Sequence, residues 1–250
     1  MLRFSFVVVC VVLDFVLSLP LLAVAVIVGL FSRTAMASIG NLWVKKSFLL
    51  VTKLCGVKTT YKGLENIPKE EGCLYVANHL GFFDVICVYP YLPGYCGMIS
   101  KKEFSIVPVF AQWMKIIYCI FLDRKDIKDG LKKIIRAIEL VKDGVSIYIF
   151  PEGTRSKDGQ VHTFKEGSFK IAKKSGCKIV PIAITGTDEI FEKHFPRIIP
   201  GEVKIEFGEP IDTKLLSKDD RKFLGRKCAN LIRTMRGEEV IEDEAIQEDM

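Results

Sequence analysis

Val76-Ala77-Asn78-His79-Leu80-Gly81-Phe82-Phe83-Asp84 follows an apolar run, 73–77, that reads as a strand. It sets one imidazole and one carboxylate five positions apart. On a continuous helix that spacing would point the two side chains about 140° apart, whereas helical neighbours lie three or four residues apart. The pair can meet if His79 ends the strand, Leu80-Gly81 turns the chain, and Asp84 lies in the first turn of a following helix. Asp84 would then accept the N–H of one ring nitrogen and leave the other as a base. A loop histidine capped by a nearby Asp is the alternative, and these residues alone do not separate the two. The other histidines, His162 and His194, fall in polar loops and read as surface residues.

Working outward, strand-like and helix-like segments alternate. Runs at 58–62, 73–77, 145–150, 178–185 and 203–207 read as strands, 117–122 is a β-rich run, and 97–100 is short and apolar. Between them lie a helix at 104–116 interrupted by Pro108, one started by Asp126 and ended by Gly144, and a short one at 168–175. In the second of these, Ile127, Leu131, Ile134, Ile135, Ile138 and Val141 form an apolar stripe. Ser217 caps a last helix with Leu224, Cys228, Leu231 and Met235 on one face. The alternation predicts an α/β fold, a central mixed sheet flanked by helices.

The N-terminus is different. Residues 4–31 are almost wholly apolar, broken by Ser5, Asp14, Ser18 and Pro20. A straight helix of that length would reach about 42 Å, more than a ~30 Å hydrocarbon core. The segment is too long for a signal peptide, and no small-residue cleavage site follows. It reads as one tilted span or as a helical hairpin bent near Ser18-Leu19-Pro20. Arg33, Lys45 and Lys46 follow it, so the downstream domain is expected on the cytoplasmic face. Residues 35–55 continue as a helix, with Trp and Lys suited to the headgroup level or to an ordinary core position.

Lys and Arg number 36 and Asp and Glu 30, and seven of the acidic residues fall in 238–250, where there is no basic one. The body is therefore more basic than the formal +6 of the whole chain and suits anionic partners. The tail is expected to be solvated and disordered. No aromatic–basic interleaving supports nucleic-acid binding. The eight cysteines are scattered without C-x-x-C or framework spacing, which predicts reduced thiols and no metal site.

Three more segments carry chemistry. Phe150-Pro151-Glu152-Gly153-Thr154-Arg155-Ser156 places a Pro-Gly turn at a strand end, where α/β proteins bind ligands. Its glycine admits an anion to the backbone, and Arg155 offers a fork matched to phosphate. Taken alone, a surface turn with an ion pair explains it as well. Phe121-Leu122-Asp123-Arg124 could give a second clamp, unless Arg124 pairs with Asp123 or Asp126. In Ile179-Val180-Pro181-Ile182-Ala183-Ile184-Thr185-Gly186, the proline suggests an edge strand or a groove wall. There is no G-x-S-x-G, H-E-x-x-H or G-x-x-x-x-G-K-[ST].

Together, His79-(four residues)-Asp84, Phe121–Arg124, Phe150–Arg155 and Val180–Gly186 resemble the four ordered blocks of the glycerolipid acyltransferases, in particular the 1-acylglycerol-3-phosphate acyltransferases. Asn78 and Phe164-Lys165-Glu166-Gly167 match as well. Two departures stand out. Tyr118 occupies the position where the second block usually has glycine, and Phe82-Phe83 replaces a commoner polar–aromatic pair. The resemblance implies transfer of a fatty acyl group from an acyl thioester, carried by coenzyme A or acyl carrier protein, to the free sn-2 hydroxyl of lysophosphatidic acid at a lipid bilayer. It assigns catalysis to His79 and Asp84, and acceptor binding to Arg124, Glu152, Gly153, Thr154 and Arg155. It implies no further cofactor and no metal. Another lysophospholipid acceptor, or hydrolysis by a thioesterase, are the competing activities. The expected organisation is a membrane-associated helical segment over 1–56, an α/β acyltransferase domain over 57–236 and an acidic tail over 237–250.

Overall fold

The structure, a computed structural model, describes residues 1–123 and 126–241. Two long helices come first. α1 (Leu2–Gly29) is long and apolar enough to cross a membrane, and only 11% of its most apolar stretch is buried against the protein. α2 (Arg33–Cys55) begins at Ser32, whose hydroxyl accepts the Ala35 N–H, and ends at Gly56. The chain then builds β1 (Lys58–Lys62), β2 (Leu74–Ala77), α3 (Phe83–Val88), β3 (Cys96–Lys101), α4 (Phe110–Ile116), β4 (Ile120–Leu122), α5 (Ile127–Lys142), β5 (Ser146–Ile149), α6 (Lys170–Ser175), β6 (Lys178–Thr185), β7 (Glu202–Phe207), β8 (Ile211–Asp212), α7 (Lys218–Lys222) and α8 (Leu224–Arg236).

Among the described residues the strands form one sheet in the order β1-β7-β6-β2-β5-β3-β4, with β8 beside β6. Pairing is parallel except where β6 meets β7 and β8, so the sheet is mixed, as expected. The central strands read as continuous apolar runs because both faces are covered. Tyr75, Ala77, Tyr148, Val180 and Ile182 face the core shared with α2, α3 and α4. Leu74, Val76, Ile147, Ile149 and Ile179 face the core shared with α5, α6 and α8.

Several expectations change. α1 continues as one helix through Pro20, and it pairs with α2 rather than folding back on itself. The Trp113 indole donates to Ser18 Oγ at 3.0 Å, and Trp113 stacks on Trp43, so α4 ties both helices to the body. Arg33 and Lys45 donate to the carbonyls of Lys115 and Leu92, which fastens α2 to the body. The 104–116 helix divides at Pro108, with a 3-10 turn (Lys102–Ile106) before α4. On α5 the buried residues are Ala137, Leu140 and Val141, while Leu131 and Ile135 are exposed. Ile134, Ile138 and Val141 of the expected stripe do pack against the core, so the stripe holds over the C-terminal half of α5. On α8 the buried line is Leu224, Cys228 and Ile232, not Leu231.

Pro181 is interior, not at an edge. β6 carries β2 on one side and β7 with β8 on the other. Pro181 falls between the two antiparallel partners, and its carbonyl accepts from Gly208 N at the β7–β8 junction. In a strand a residue's N–H and C=O point the same way. The missing N–H therefore lies on the side of Gly208, between the paired stretches of β7 and β8, where no ladder pairing is interrupted. The tail begins later than expected: Glu238 accepts the Val161 N–H at 2.9 Å and pairs with Arg236. The rest of the acidic run, 242–250, lies outside the described residues.

Candidate active site

β2 is the strand between β5 and β6, and its C-terminal end carries the site. Beyond Ala77 the side chain of Asn78 imitates a strand: its Nδ2 donates to the Ile184 carbonyl at 3.0 Å and its Oδ1 accepts the Ile184 N–H at 2.8 Å. With the chain fixed there, His79 leaves the sheet and the turn begins. Asp84, fully buried in the first turn of α3, closes it. Its Oδ2 accepts the N–H groups of Leu80 and Gly81 at 2.7 and 2.8 Å and lies 2.7 Å from His79 Nδ1. Thr187 Oγ1 donates to its Oδ1. A buried carboxylate is tolerable only when hydrogen-bonded like this. Because it is acceptor-only, the imidazole proton sits on Nδ1 and Nε2 keeps its lone pair. The ring stacks on Phe150 with centroids 4.1 Å apart, which fixes its plane.

The loop after β5 locks the other side. Glu152 Oε1 accepts the His79 N–H at 3.1 Å, and Ser156 N donates to the His79 carbonyl at 2.8 Å. Glu152 is buried, and its Oε2 has no hydrogen-bond partner among the described residues. Burial pushes its carboxyl up to about 7, against the opposing pull of the His79 N–H. Gly153 has φ +78, which a side chain would resist, and its N–H donates to the Phe150 carbonyl. A Cβ on Gly153 would stand 2.9 Å from Lys165 Nζ, so the lysine amine lies directly over this turn.

A cavity of about 1270 Å³ opens from His79, larger than the ~300–1,000 Å³ of ordinary small-molecule pockets. Its polar lining includes Thr154, Arg155, Lys157 and Lys165, and also Asp14, Asp123 and Asp126. Most of the lining is apolar and comes from the body and the two N-terminal helices, with Phe15, Trp43, Val51 and Phe110 among it. The body alone does not make this cavity: α1 and α2 supply one wall.

Of the expected site residues, His79 and Asp84 are joined directly. Gly153, Thr154 and Arg155 line the cavity beside His79. Glu152 differs from expectation: it sits behind the cavity wall and holds the His79 backbone. Arg124 lies outside the described residues. Thr187, Lys165 and Glu192 were not singled out as site residues. Lys165 had a signal in the Phe164-Lys165-Glu166-Gly167 match. Thr187 and Glu192, 103 and 110 positions from their partners, had none.

Residues 58–185, just over half of the chain, match the family model described as Acyltransferase. The chain belongs to the acyltransferase family. Among relatives in this family, the 1-acyl-sn-glycerol-3-phosphate acyltransferase BAT2 of Brassica napus is 38% identical over 156 residues, 62% of this chain and 45% of that protein. The 1-acyl-sn-glycerol-3-phosphate acyltransferase of Borreliella burgdorferi is 32% identical over 172 residues, 68% of each chain. The chain thus spans less than half the length of the plant relative. The crystal structure of the acyltransferase PlsC from Thermotoga maritima superposes with a TM-score of 0.72 at 24% identity, over 92% of this chain and 97% of that one, so the two share a fold.

Proposed function

We propose that this acyltransferase-family chain moves a fatty acyl group from an acyl thioester, of coenzyme A or acyl carrier protein, to the sn-2 hydroxyl of 1-acylglycerol-3-phosphate, giving phosphatidic acid. The observation that carries the reading is the 2.7 Å contact between His79 Nδ1 and Asp84 Oδ2 beside a cavity whose largely apolar lining also holds Arg155, Lys157 and Lys165. The relatives' names agree with the acceptor.

The chemistry follows from the geometry. An alcohol is a weak nucleophile at neutral pH. His79 Nε2 takes its proton as the oxygen attacks the thioester carbon, a contribution on the order of 10² to 10⁴ in rate. Asp84 stabilises the imidazolium that forms. The tetrahedral oxyanion collapses, the C–S bond breaks, and the proton held by His79 passes to the departing thiolate. Arg155 and Lys165 supply positive charge for the acceptor phosphate, and the apolar lining takes the acyl chains. Glu152 fixes the backbone of His79. α1, exposed and apolar, would seat the cavity at a bilayer surface with the α/β body on the cytoplasmic face.

The test uses the purified chain in detergent–lipid micelles with lysophosphatidic acid and labelled long-chain acyl-CoA or acyl carrier protein thioester. Phosphatidic acid from wild type, and at least 10²-fold less from His79→Ala, is the expected result. Equal product from both proteins overturns the role of His79. Free fatty acid as the sole labelled product overturns transfer in favour of hydrolysis.

A further inference from the structure

Glu192 belongs to none of the sequence blocks and sits in a 3-10 turn (Glu192–His194) after β6. Its Oε1 accepts the Phe82 N–H at 2.6 Å and lies 3.8 Å from Nη1 of Arg155. Arg155 in turn lies over the Phe82 ring, its Cζ 3.9 Å from the centroid. Gly81 packs against the same carboxylate: a Cβ there would come within 2.3 Å of Glu192 Oε2. The Glu192 side chain is 17% exposed and that of Arg155 40%. One carboxylate therefore grips the turn that carries His79 and also faces the guanidinium at the cavity mouth.

These two contacts differ in strength. The bond to Phe82 is short and charge-assisted. The contact with Arg155 is beyond hydrogen-bond range and partly exposed, the kind of pair that contributes little. A phosphate presents paired oxygens to a planar guanidinium and outcompetes such a partner. We propose that Glu192 is a positioning residue: it holds Arg155 over Phe82 until the acceptor's phosphate takes its place, and it keeps the Phe82 N–H throughout. The exchange rests on the reading of Arg155 as a phosphate ligand.

The experiment is a double-mutant cycle on the full chain in micelles, with KM and kcat measured against lysophosphatidic acid. Glu192→Gln keeps an acceptor for Phe82 and removes the charge that competes with phosphate. It is expected to lower KM about two- to fivefold, the size such a pair supports, with kcat held within about twofold. Arg155→Ala is expected to raise KM by roughly tenfold or more. In the Arg155→Ala background, Glu192→Gln should leave KM unmoved, because its effect runs through the arginine. Glu192→Ala should lower kcat, since the turn loses its outer acceptor, and Gln should not. An equal KM shift in both backgrounds overturns the exchange, as does no shift in either while Arg155→Ala still raises KM. A wild-type KM in Arg155→Ala overturns the phosphate reading itself and the exchange with it.

Discussion

The α/β body and α1 obey opposite rules of burial. In the body, Leu74, Val76, Ile147 and Ile179 are wholly buried, and the buried polar groups Asn78 and Asp84 are bonded on every side. In α1, Phe6, Val9, Leu13, Val16 and Leu17 are more than half exposed, while Ser18 and Ala25 are buried. One side of α1, with Val7, Ser18 and Ala25 buried and Val11, Phe15 and Leu22 packed beside them, faces the protein, while most of its other large apolar residues face outward. Such a surface costs free energy in water and none in hydrocarbon, at about 25 cal/mol per Å². The two regions therefore present opposite kinds of surface, and the cavity lies where they meet.

The largest expected effect breaks this contrast at α1. Val9 and Val16 are 55% and 54% exposed and two turns apart, on one side of the helix. Changing both to Lys places two charges where hydrocarbon is expected, at about 2.5–3.5 kcal/mol each on insertion scales. Partitioning onto lipid vesicles should fall on the order of 10²-fold or more, read by flotation, while the melting temperature in detergent stays near wild type. Wild-type flotation would mean that α1 is not the membrane element. A collapse in melting temperature would mean that it belongs to the body's core.

The next effect lies inside the body and is set by pH. Burial holds the Glu152 carboxyl near 7 in the folded protein, against an ordinary value of 4.5. A raised carboxyl favours the folded state while it stays protonated. The contribution is complete below the unfolded value and is lost as pH rises through 7, on the order of 3 kcal/mol in all. Glu152→Gln keeps an acceptor for the His79 N–H and does not titrate. Its melting temperature relative to wild type should therefore rise between pH 5 and pH 8. A difference that is flat with pH would mean that water or an arginine compensates the carboxylate. Arg233 and Arg236 are the nearest candidates, since both pull the Glu152 carboxyl down.

The two regions also differ in how legible they were. The His79–Asp84 contact could be read from sequence because its partners are five positions apart, so one turn decides the geometry. The fold class followed from alternation alone. The Glu152–His79 contact spans 73 positions and the Asp84–Thr187 contact 103, and local pattern carries no information at that range. The family resemblance implies a substrate role for Glu152, yet its side chain is buried against the His79 backbone. Of the two readings Pro181 offers, an edge strand or a groove wall, the structure excludes the edge, since β6 is paired on both sides, and sets Pro181 in the wall of a cleft with Phe207, Gly208 and Met235. In α1 the apolar run is plain in the sequence but leaves a single helix and a hairpin bent near Pro20 both open, and the structure has the single helix. The hairpin is made by α1 and α2 together.

The smallest expected effect joins the two regions. Tyr118 follows α4 with φ +64, a left-handed position that costs a side chain roughly 1 kcal/mol and glycine nothing. The Tyr118 N–H bonds back to the Lys115 carbonyl, and Cys119 N bonds to Met114, so the chain must turn here to enter β4. The ring offsets the backbone cost. Arg33, at the start of α2, lies over it with Cζ 4.4 Å from the centroid and donates to Lys115 O at 2.7 Å. Such a cation–π contact contributes about 0.5–1 kcal/mol at a partly exposed site. Tyr118→Gly should thus stay within about 0.5 kcal/mol of wild type, because strain and contact are lost together. Tyr118→Ala loses the contact and keeps the strain, and should be less stable than the glycine variant by about 1 kcal/mol in denaturant unfolding. If Ala and Gly prove equal, the left-handed turn stores nothing. If Gly alone is destabilised, the ring that fastens α2 to the body is the stronger element.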